Sequence, residues 1–547
     1  MEKQWWKEAV IYQVYTRSFY DSNGDGIGDI PGITAKLDYL KALGVDVLWI
    51  SPCFQSPNAD NGYDISDYYS IQNEFGSLED LKKLIREAKQ RGIQILLDLV
   101  LNHTSDQHPW FLESKKSKDN PYRDYYIWRP GRDGKEPNNW GSFFKGSAWE
   151  LDETTGEYYL HIFSRQQPDL NWECPALREE LYKIIHYWLS LGVGGFRLDA
   201  INYIKKPENL PDSLLEPDAS GYCIDTSLYA NNPGLTDFFR EMHQKAWGGQ
   251  DIMTVGECAD LTPERAVAYV DQKDDLLSMV FNVELAFMRE NFNWPTFKRT
   301  QRAFIQALEG RGWNSQFLQN HDVARRLTLL GDTGKYYQES AKMLATIVHT
   351  LPGTPYIYQG EEIGMTNRKF QSIHEFDDLF CKNEYRELLD KGWSSEEAMK
   401  LLNLYSRDHA RTPMQWSSQE NAGFTTGTPW LKVNENYPCV NTESQMQQAN
   451  GIFSYYQKLI ALRKSTPALV YGAFREYLEE DPNLYVYTRT LAEDTLLITI
   501  NFTNQPQSLS LPFHPENLLL LLCNYAAQAP GQQLLLRPYE ACIWKIQ

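Results

Sequence analysis

Positive charge is scarce in this chain of 547 residues: 53 Lys and Arg face 72 Asp and Glu, a formal net charge of −19. Nucleic acids and anionic membranes are bound by basic surface that replaces their counterions, so neither is expected as a partner. Cysteine is sparse too. The eight residues (Cys53, Cys174, Cys223, Cys258, Cys381, Cys439, Cys523 and Cys542) show no CxxC or zinc-like spacing. That excludes a disulfide scaffold or zinc module and suits free thiols in a reducing compartment. The opening MEKQWWKEAVIYQVY lacks a basic segment followed by an apolar run, and no apolar stretch is long enough to span a bilayer. A cytoplasmic protein without a membrane anchor is the expectation.

What the chain has in quantity is length and aromatic residues: 13% of positions, with 16 Trp and 33 Tyr. Such a length exceeds one compact core and calls for a large barrel with satellites. Flat apolar rings suit sugar faces, although large barrels bury many aromatics in any case. Short β-branched or apolar runs recur at 9–19, 45–52, 93–100, 192–200, 252–258, 276–283, 313–320 and 354–362. Between several of them lie helical patterns, as at 78–91, where Leu78, Leu81, Leu84, Ile85 and Ala88 share a face. Eight strand–helix units with near-continuous apolar strands predict an α/β fold, a closed (β/α)8 TIM barrel. Residues 104–171 break the rhythm with turn-rich, alternating pieces and read as a domain inserted after the third strand. From 473 to 547 the alternation of short strands predicts an antiparallel C-terminal β-domain. The barrel then comprises 1–103 and 172–472.

Active sites of such barrels collect at the C-terminal ends of strands, so the polar residues there carry the argument. The fourth strand ends in Arg197-Leu198-Asp199, the fifth in Gly256-Glu257, the seventh in Asn320-His321-Asp322, and the third adds Asp98, Asn102 and His103. Any one of these could merely cap a helix; three carboxylates at one mouth call for chemistry. Retaining glycoside hydrolysis needs a carboxylate that attacks the anomeric carbon and a carboxylic acid that protonates the leaving oxygen. Asp199, beside Arg197, is expected to be ionised and to attack. Glu257, at an apolar strand end near other carboxylates, is expected to keep its proton. Asp322 is placed to grip sugar hydroxyls as the ring flattens.

The segments DLVLNH (98–103), GFRLD (195–199), VGE (255–257) and QNHD (319–322) resemble, in order and position, the four signature segments of the α-amylase family of glycoside hydrolases. GYDISDY (62–68), QPDLN (167–171) and ARTPMQW (410–416) are similar to its oligo-1,6-glucosidase and α-glucosidase branch. The resemblance implies Asp199 as nucleophile, Glu257 as acid/base and Asp322 as transition-state stabiliser. It further implies Tyr63 stacking under the terminal glucose, Phe163 as an apolar wall, and His103, Gln167, Arg197 and His321 around its hydroxyls. Asp60 and Arg411 would bind the 4-hydroxyl and close the pocket, which makes the enzyme exo-acting on small oligosaccharides. No organic cofactor is implied, and a monomer is expected.

Asp21, Asn23, Asp25 and Asp29 alternate with glycines like the first part of an EF-hand loop, without its final Glu. Relatives resembling this chain hold calcium there, through those four side chains and the Ile27 carbonyl. The ion is expected to be structural. Linkage preference is read from the residue after the nucleophile, Val for α-1,6 and Thr for α-1,4 in this branch; here it is Ala200. With no HMxLD-like stretch after Glu257, the expectation leans to α-1,4-linked maltooligosaccharides, with isomaltooligosaccharides as the alternative. A sucrose-isomerising or transglucosylating enzyme would share the three carboxylates but carry an Arg-rich loop after the fourth segment, which VARRL (323–327) scarcely resembles. A non-catalytic protein of the same fold would have lost them.

Overall fold

The computed structural model describes residues 3–218, 220–510, 517–526 and 534–547. Eight parallel strands form the barrel: β1 (Ile11–Val14), β2 (Val47–Ile50), β3 (Gln94–Val100), β4 (Gly195–Asp199), β5 (Met253–Cys258), β6 (Met279–Asn282), β7 (Ser315–Gln316) and β8 (Thr354–Tyr358). They pair in the order β6-β5-β4-β3-β2-β1-β8-β7, and a parallel bridge from Val280 to Asn314 joins the two ends. The sheet is therefore a closed ring. Every residue of β1, β2, β4 and β8 is buried, the consequence of helices outside and packed side chains inside. This is why the apolar runs were continuous rather than alternating.

The helix foreseen at 78–91 spans Leu78–Gln90 and begins in a capping box, with Ser77 and Asp80 exchanging side-chain-to-backbone hydrogen bonds. Leu81, Leu84, Ile85 and Ala88 are its buried face, and Leu78 is half-buried at the rim. One glycine is obligatory. Gly195 has φ 149° and pairs with Met253, whose carbonyl oxygen a Cβ would meet at 1.8 Å. The close approach of β4 to β5 depends on it.

After β3 the chain leaves the barrel for a small antiparallel sheet of Trp128–Pro130, Trp149–Asp152 and Glu157–Leu160, with the last in the middle. The sheet does not stand alone. A bridge from Trp140 to Cys223 and a cluster of Trp140, Trp149, Leu160, Leu210 and Tyr229 join it to the long loop that follows β4, a second excursion for which the sequence showed no sign.

The C-terminal sheet orders its antiparallel strands Ala473–Tyr477, Leu484–Leu491, Asp494–Asn501, Ala541–Ile546 and Leu518–Cys523. The run LLLRPYEACIW near the end of the domain divides at a turn where Tyr539 has φ 54°. Leu534–Leu536 pairs with Gln507–Leu509 in a separate ribbon, and Ala541–Ile546 joins the main sheet. Buried Arg489 fastens that sheet to the barrel by donating to the carbonyls of Thr350 (2.6 Å), Val470 (3.0 Å) and Gly472 (3.1 Å). Replacing it by methionine leaves three buried acceptors without a donor, so Arg489→Met should cost roughly 3–5 kcal/mol of stability with turnover retained. Chemical denaturation of the folded variant checks this; a loss below about 1 kcal/mol would show that other contacts hold the seam.

Candidate active site

Register explains how the strand ends assemble. Arg197 on β4 lies beside Asp98 on β3 and Val255 on β5, so Asp199 and Glu257, each two residues further on, point to the same interior face. Arg197 then meets three carboxylates at once: Nη1 donates to Asp98 Oδ1 (2.7 Å) and Asp199 Oδ1 (2.6 Å), and Nη2 forms an ion pair with Glu257 Oε2 (2.8 Å). Asp98 also accepts from Trp49 Nε1 (3.2 Å) and the Tyr63 hydroxyl (3.0 Å). One guanidinium cannot neutralise three acids. Burial pushes Asp199 well above the usual carboxylate range, Arg197 pulls it back, and Glu257 and Asp98 add to the rise. The sequence argument weighed the adjacent guanidinium alone and expected Asp199 ionised; burial and the neighbouring acids push in the opposite direction.

Ala200, the residue after Asp199, sits in the left-handed region at φ 44°, ψ 36°. A non-glycine residue pays about 1 kcal/mol to be there. The kink turns its amide onto Glu257 Oε2 (3.2 Å), so this residue acts through its backbone.

Asp322 is anchored on three sides. His321 Nε2 lies 3.1 Å from its Oδ2, while Arg407 Nη1 (3.0 Å) and Arg411 Nη2 (2.8 Å) donate to Oδ1. Burial opposes its charge, but His321, Arg407 and Arg411 outweigh burial and hold its carboxyl well below the usual range. His321 is oriented in turn by Gln13 Nε2 at Nδ1 (2.7 Å) and stacks on Tyr63 at 5.4 Å.

The cavity over these groups measures about 420 Å³, a size suited to a small ligand. Asp60, Tyr63, His103, Phe163, Asp199, Ala200, Glu257 and Asp322 line it. Gln167, Arg197, His321 and Arg411 lie a layer behind the lining. Gln167 Nε2 reaches Asp60 Oδ2 (3.0 Å) and His103 Nε2 (3.1 Å), and Arg411 Nε donates to the His321 carbonyl (3.1 Å). His103, kept neutral by burial that lowers it to about 3, receives Asn102 Nδ2 at Nδ1 (3.2 Å). Asn102 is held by the buried pair of Lys206 and Asp169 (2.8 Å).

The residue that sequence reasoning missed is Arg407. It lines the cavity 3.9 Å from Asp60, grips Asp322, and is fixed by Asp378 through Nε (2.9 Å) and Nη2 (2.5 Å). The position assigned to Arg411 at the closed end of the pocket is thus occupied by Arg407, with Arg411 as its buried support. Its only local signal was a second arginine one helical turn before ARTPMQW. Phe143 and Tyr203 were also missed; they flank Phe163 at 5.3 and 5.9 Å, one from the inserted sheet and one from the loop after β4.

Loop 21–29 is a series of side-chain-to-backbone turns. Asp21 Oδ1 accepts from the amides of Asn23 and Gly24, Asp21 Oδ2 from Gly26, Asn23 Oδ1 from Asp25, and Asp25 Oδ1 from Ile27. Asp29 caps the helix Ile30–Ala35. Its oxygens suit a hard cation. Among the described residues, however, the three carboxylates do not bring oxygens within 4.8 Å of one another, a closeness reached only by Cys523, Glu540 and Cys542.

Residues 13–472 match the family described as alpha amylase, catalytic domain, and residues 474–543 match the maltogenic amylase C-terminal domain. An oligo-1,6-glucosidase of Parageobacillus thermoglucosidasius is 51% identical, with all of each chain covered. Another, of Bacillus cereus, is 49% identical, again over both chains in full. A solved trehalulose synthase from Pseudomonas mesoacidophila MX-45 superposes with a TM-score of 0.94 at 42% identity, covering both chains entirely.

Burial, acting against Arg407 and Arg411, raises Asp60 to about 7, with Asp64 and Asp322 adding to the rise. Below that pH the carboxyl holds a proton and is a weaker acceptor for a hydroxyl. Affinity for glucose, followed by calorimetry, should therefore weaken as pH falls through about 7, and Asp60→Asn should flatten that dependence. A variant titrating like wild type would remove Asp60 from the binding site.

Proposed function

Because the chain belongs to the alpha-amylase family of glycoside hydrolases, we propose that it releases glucose from the non-reducing end of short α-1,6-linked glucosides with retention of configuration. One observation carries the exo reading: Asp60 and Arg407 line the cavity 3.9 Å apart with Asp378 bonded to Arg407, and we read this group as the closed end of the pocket. One sugar fits behind the cut, so chains enter by their ends. The lean toward α-1,4 bonds, drawn from Ala200 and the missing HMxLD-like stretch, finds no support in relatives named for 1,6 linkages at 51% and 49% identity.

In this reading, an oxygen of Asp199 attacks the anomeric carbon as the glycosidic bond breaks, and Glu257 passes its proton to the departing oxygen. The Ala200 amide donates to Glu257 Oε2 and Arg197 pairs with that same oxygen, which leaves Oε1 free of both. Asp322, held ionised, binds hydroxyls of the flattening ring. Water then cleaves the glycosyl–Asp199 ester while Glu257 takes its proton, and a second displacement restores the α configuration. A sucrose-isomerising enzyme remains the second reading, supported by the trehalulose synthase likeness.

Rates on isomaltose, isomaltotriose, maltose and sucrose, with product anomers followed by proton NMR, test this. α-Glucose should appear first, and isomaltose should be cleaved faster than maltose. β-Glucose first, or trehalulose from sucrose, would overturn it. Asp199→Asn and Glu257→Gln should each fall below about a hundredth of the wild-type rate while folded.

We further propose that loop 21–29 binds a structural calcium ion through Asp21, Asn23, Asp25, the Ile27 carbonyl and Asp29, on the strength of its all-oxygen donor set. A chelator should lower the melting temperature, and added calcium should restore it, with kcat little changed when temperature is held well below the transition. A melting curve indifferent to both would dismiss the site.

A further inference from the structure

Cys523 ends the edge strand of the C-terminal sheet, and Cys542 is its partner on the neighbouring strand. The backbone bond beside them runs from the Asn524 amide to the Ala541 carbonyl (3.2 Å), so the two cysteines occupy a non-hydrogen-bonded position. Antiparallel strands bring side chains closest at such positions, with Cα atoms about 4.5 Å apart, inside the range a disulfide spans. The two sulfurs are 3.0 Å apart. Cys542 is buried, whereas Cys523 is half-buried and reachable.

Glu540 completes the cluster, with Oε1 3.3 Å from Cys523 Sγ and 3.6 Å from Cys542 Sγ. Two thiols and a carboxylate could suggest a soft metal ion, but Glu540 is already taken. Arg537 donates to its Oε1 through Nη2 (2.6 Å) and to its Oε2 through Nε (3.0 Å) and the backbone amide (2.6 Å). The same guanidinium lies 4.0 Å from Cys523 Sγ, where its charge opposes the binding of a second cation.

We propose that Cys523 and Cys542 are a redox-sensitive pair that closes to a reversible disulfide by exchange with a small-molecule disulfide. The Cys523 thiolate attacks one sulfur of that disulfide, whose S–S bond breaks and releases one thiolate. Cys542 gives its proton to solvent and attacks Cys523 in the mixed disulfide, releasing the second. Two electrons leave the protein on the two small thiols.

The bond would act on the seam between sheet and barrel. Among the described residues the edge strand has a neighbour on one side only, and the next residue, Asn524, donates to the Glu339 carbonyl (2.9 Å) on barrel helix Tyr337–Thr350. Among the described residues, none beyond Arg407 lines the large cavity, so the effect is on stability and not on the site.

The full-length protein, reduced or incubated with oxidised glutathione, is compared by intact mass, non-reducing peptide mapping and thermal melting. Oxidation should remove two hydrogens, link the peptides containing Cys523 and Cys542, and raise the melting temperature by several degrees, all reversed by dithiothreitol. Cys523→Ser and, separately, Cys542→Ala should abolish the linkage and the shift. The proposal is overturned if Cys523 stops at a glutathione adduct, if other cysteines link instead, or if the purified protein carries a chelatable zinc ion on this pair. None of these readouts involves a substrate.

Discussion

Arg197 is the residue on which the catalytic mouth depends. It is 1% exposed and touches Asp98, Asp199 and Glu257. Three carboxylates in a medium of low dielectric would repel one another by several kcal/mol per pair, and without a cation between them they would take up protons or spread apart. The guanidinium fork is the one side-chain shape that bonds in several directions in a plane, and the barrel presents its partners from the strands on either side. Gly195 is part of the same constraint: without the close pairing of β4 and β5, Glu257 would not reach the fork.

A second balance of charge governs the closed end. Asp60, Asp322 and Asp378 share Arg407 and Arg411, three acids to two guanidiniums. Asp322 and Asp378 each receive direct hydrogen bonds and are held low, while Asp60, 3.9 Å from Arg407, has the weakest claim and burial wins. Asp60 takes its direct hydrogen bond from the neutral Gln167 Nε2 instead (3.0 Å). The uneven division leaves Asp60 nearest to neutrality while Asp322 and Asp378 stay charged.

The aromatic walls answer a different need. Phe163 and Phe143 come from the excursion after β3, Tyr203 from the loop after β4, and the two meet across the Trp140–Cys223 bridge. Shape at the mouth is thus set by segments outside the barrel, while the charges come from the strand ends and from Arg407.

The sequence by itself determined the elements whose causes are local. The eight strands, the helix of residues 78–90 and the polar residues at strand ends were legible because periodicity and residue type act within a few positions. So was the conjunction of Asp199, Glu257 and Asp322, since a closed parallel barrel admits one end for them. Tertiary structure alone decided the rest. Arg407 reaches Asp322 across 85 positions of intervening chain, and nothing near ARTPMQW told which of two arginines faces the cavity. Ala200 takes a left-handed conformation that its own side chain disfavours, which only packing around it can impose. The proton balance of Asp199 also escaped sequence reasoning, because it depends on burial and on the distances to Asp98 and Glu257 as well as on the adjacent Arg197. Charge interactions fall with distance and grow with desolvation, and both quantities exist only once the chain has folded.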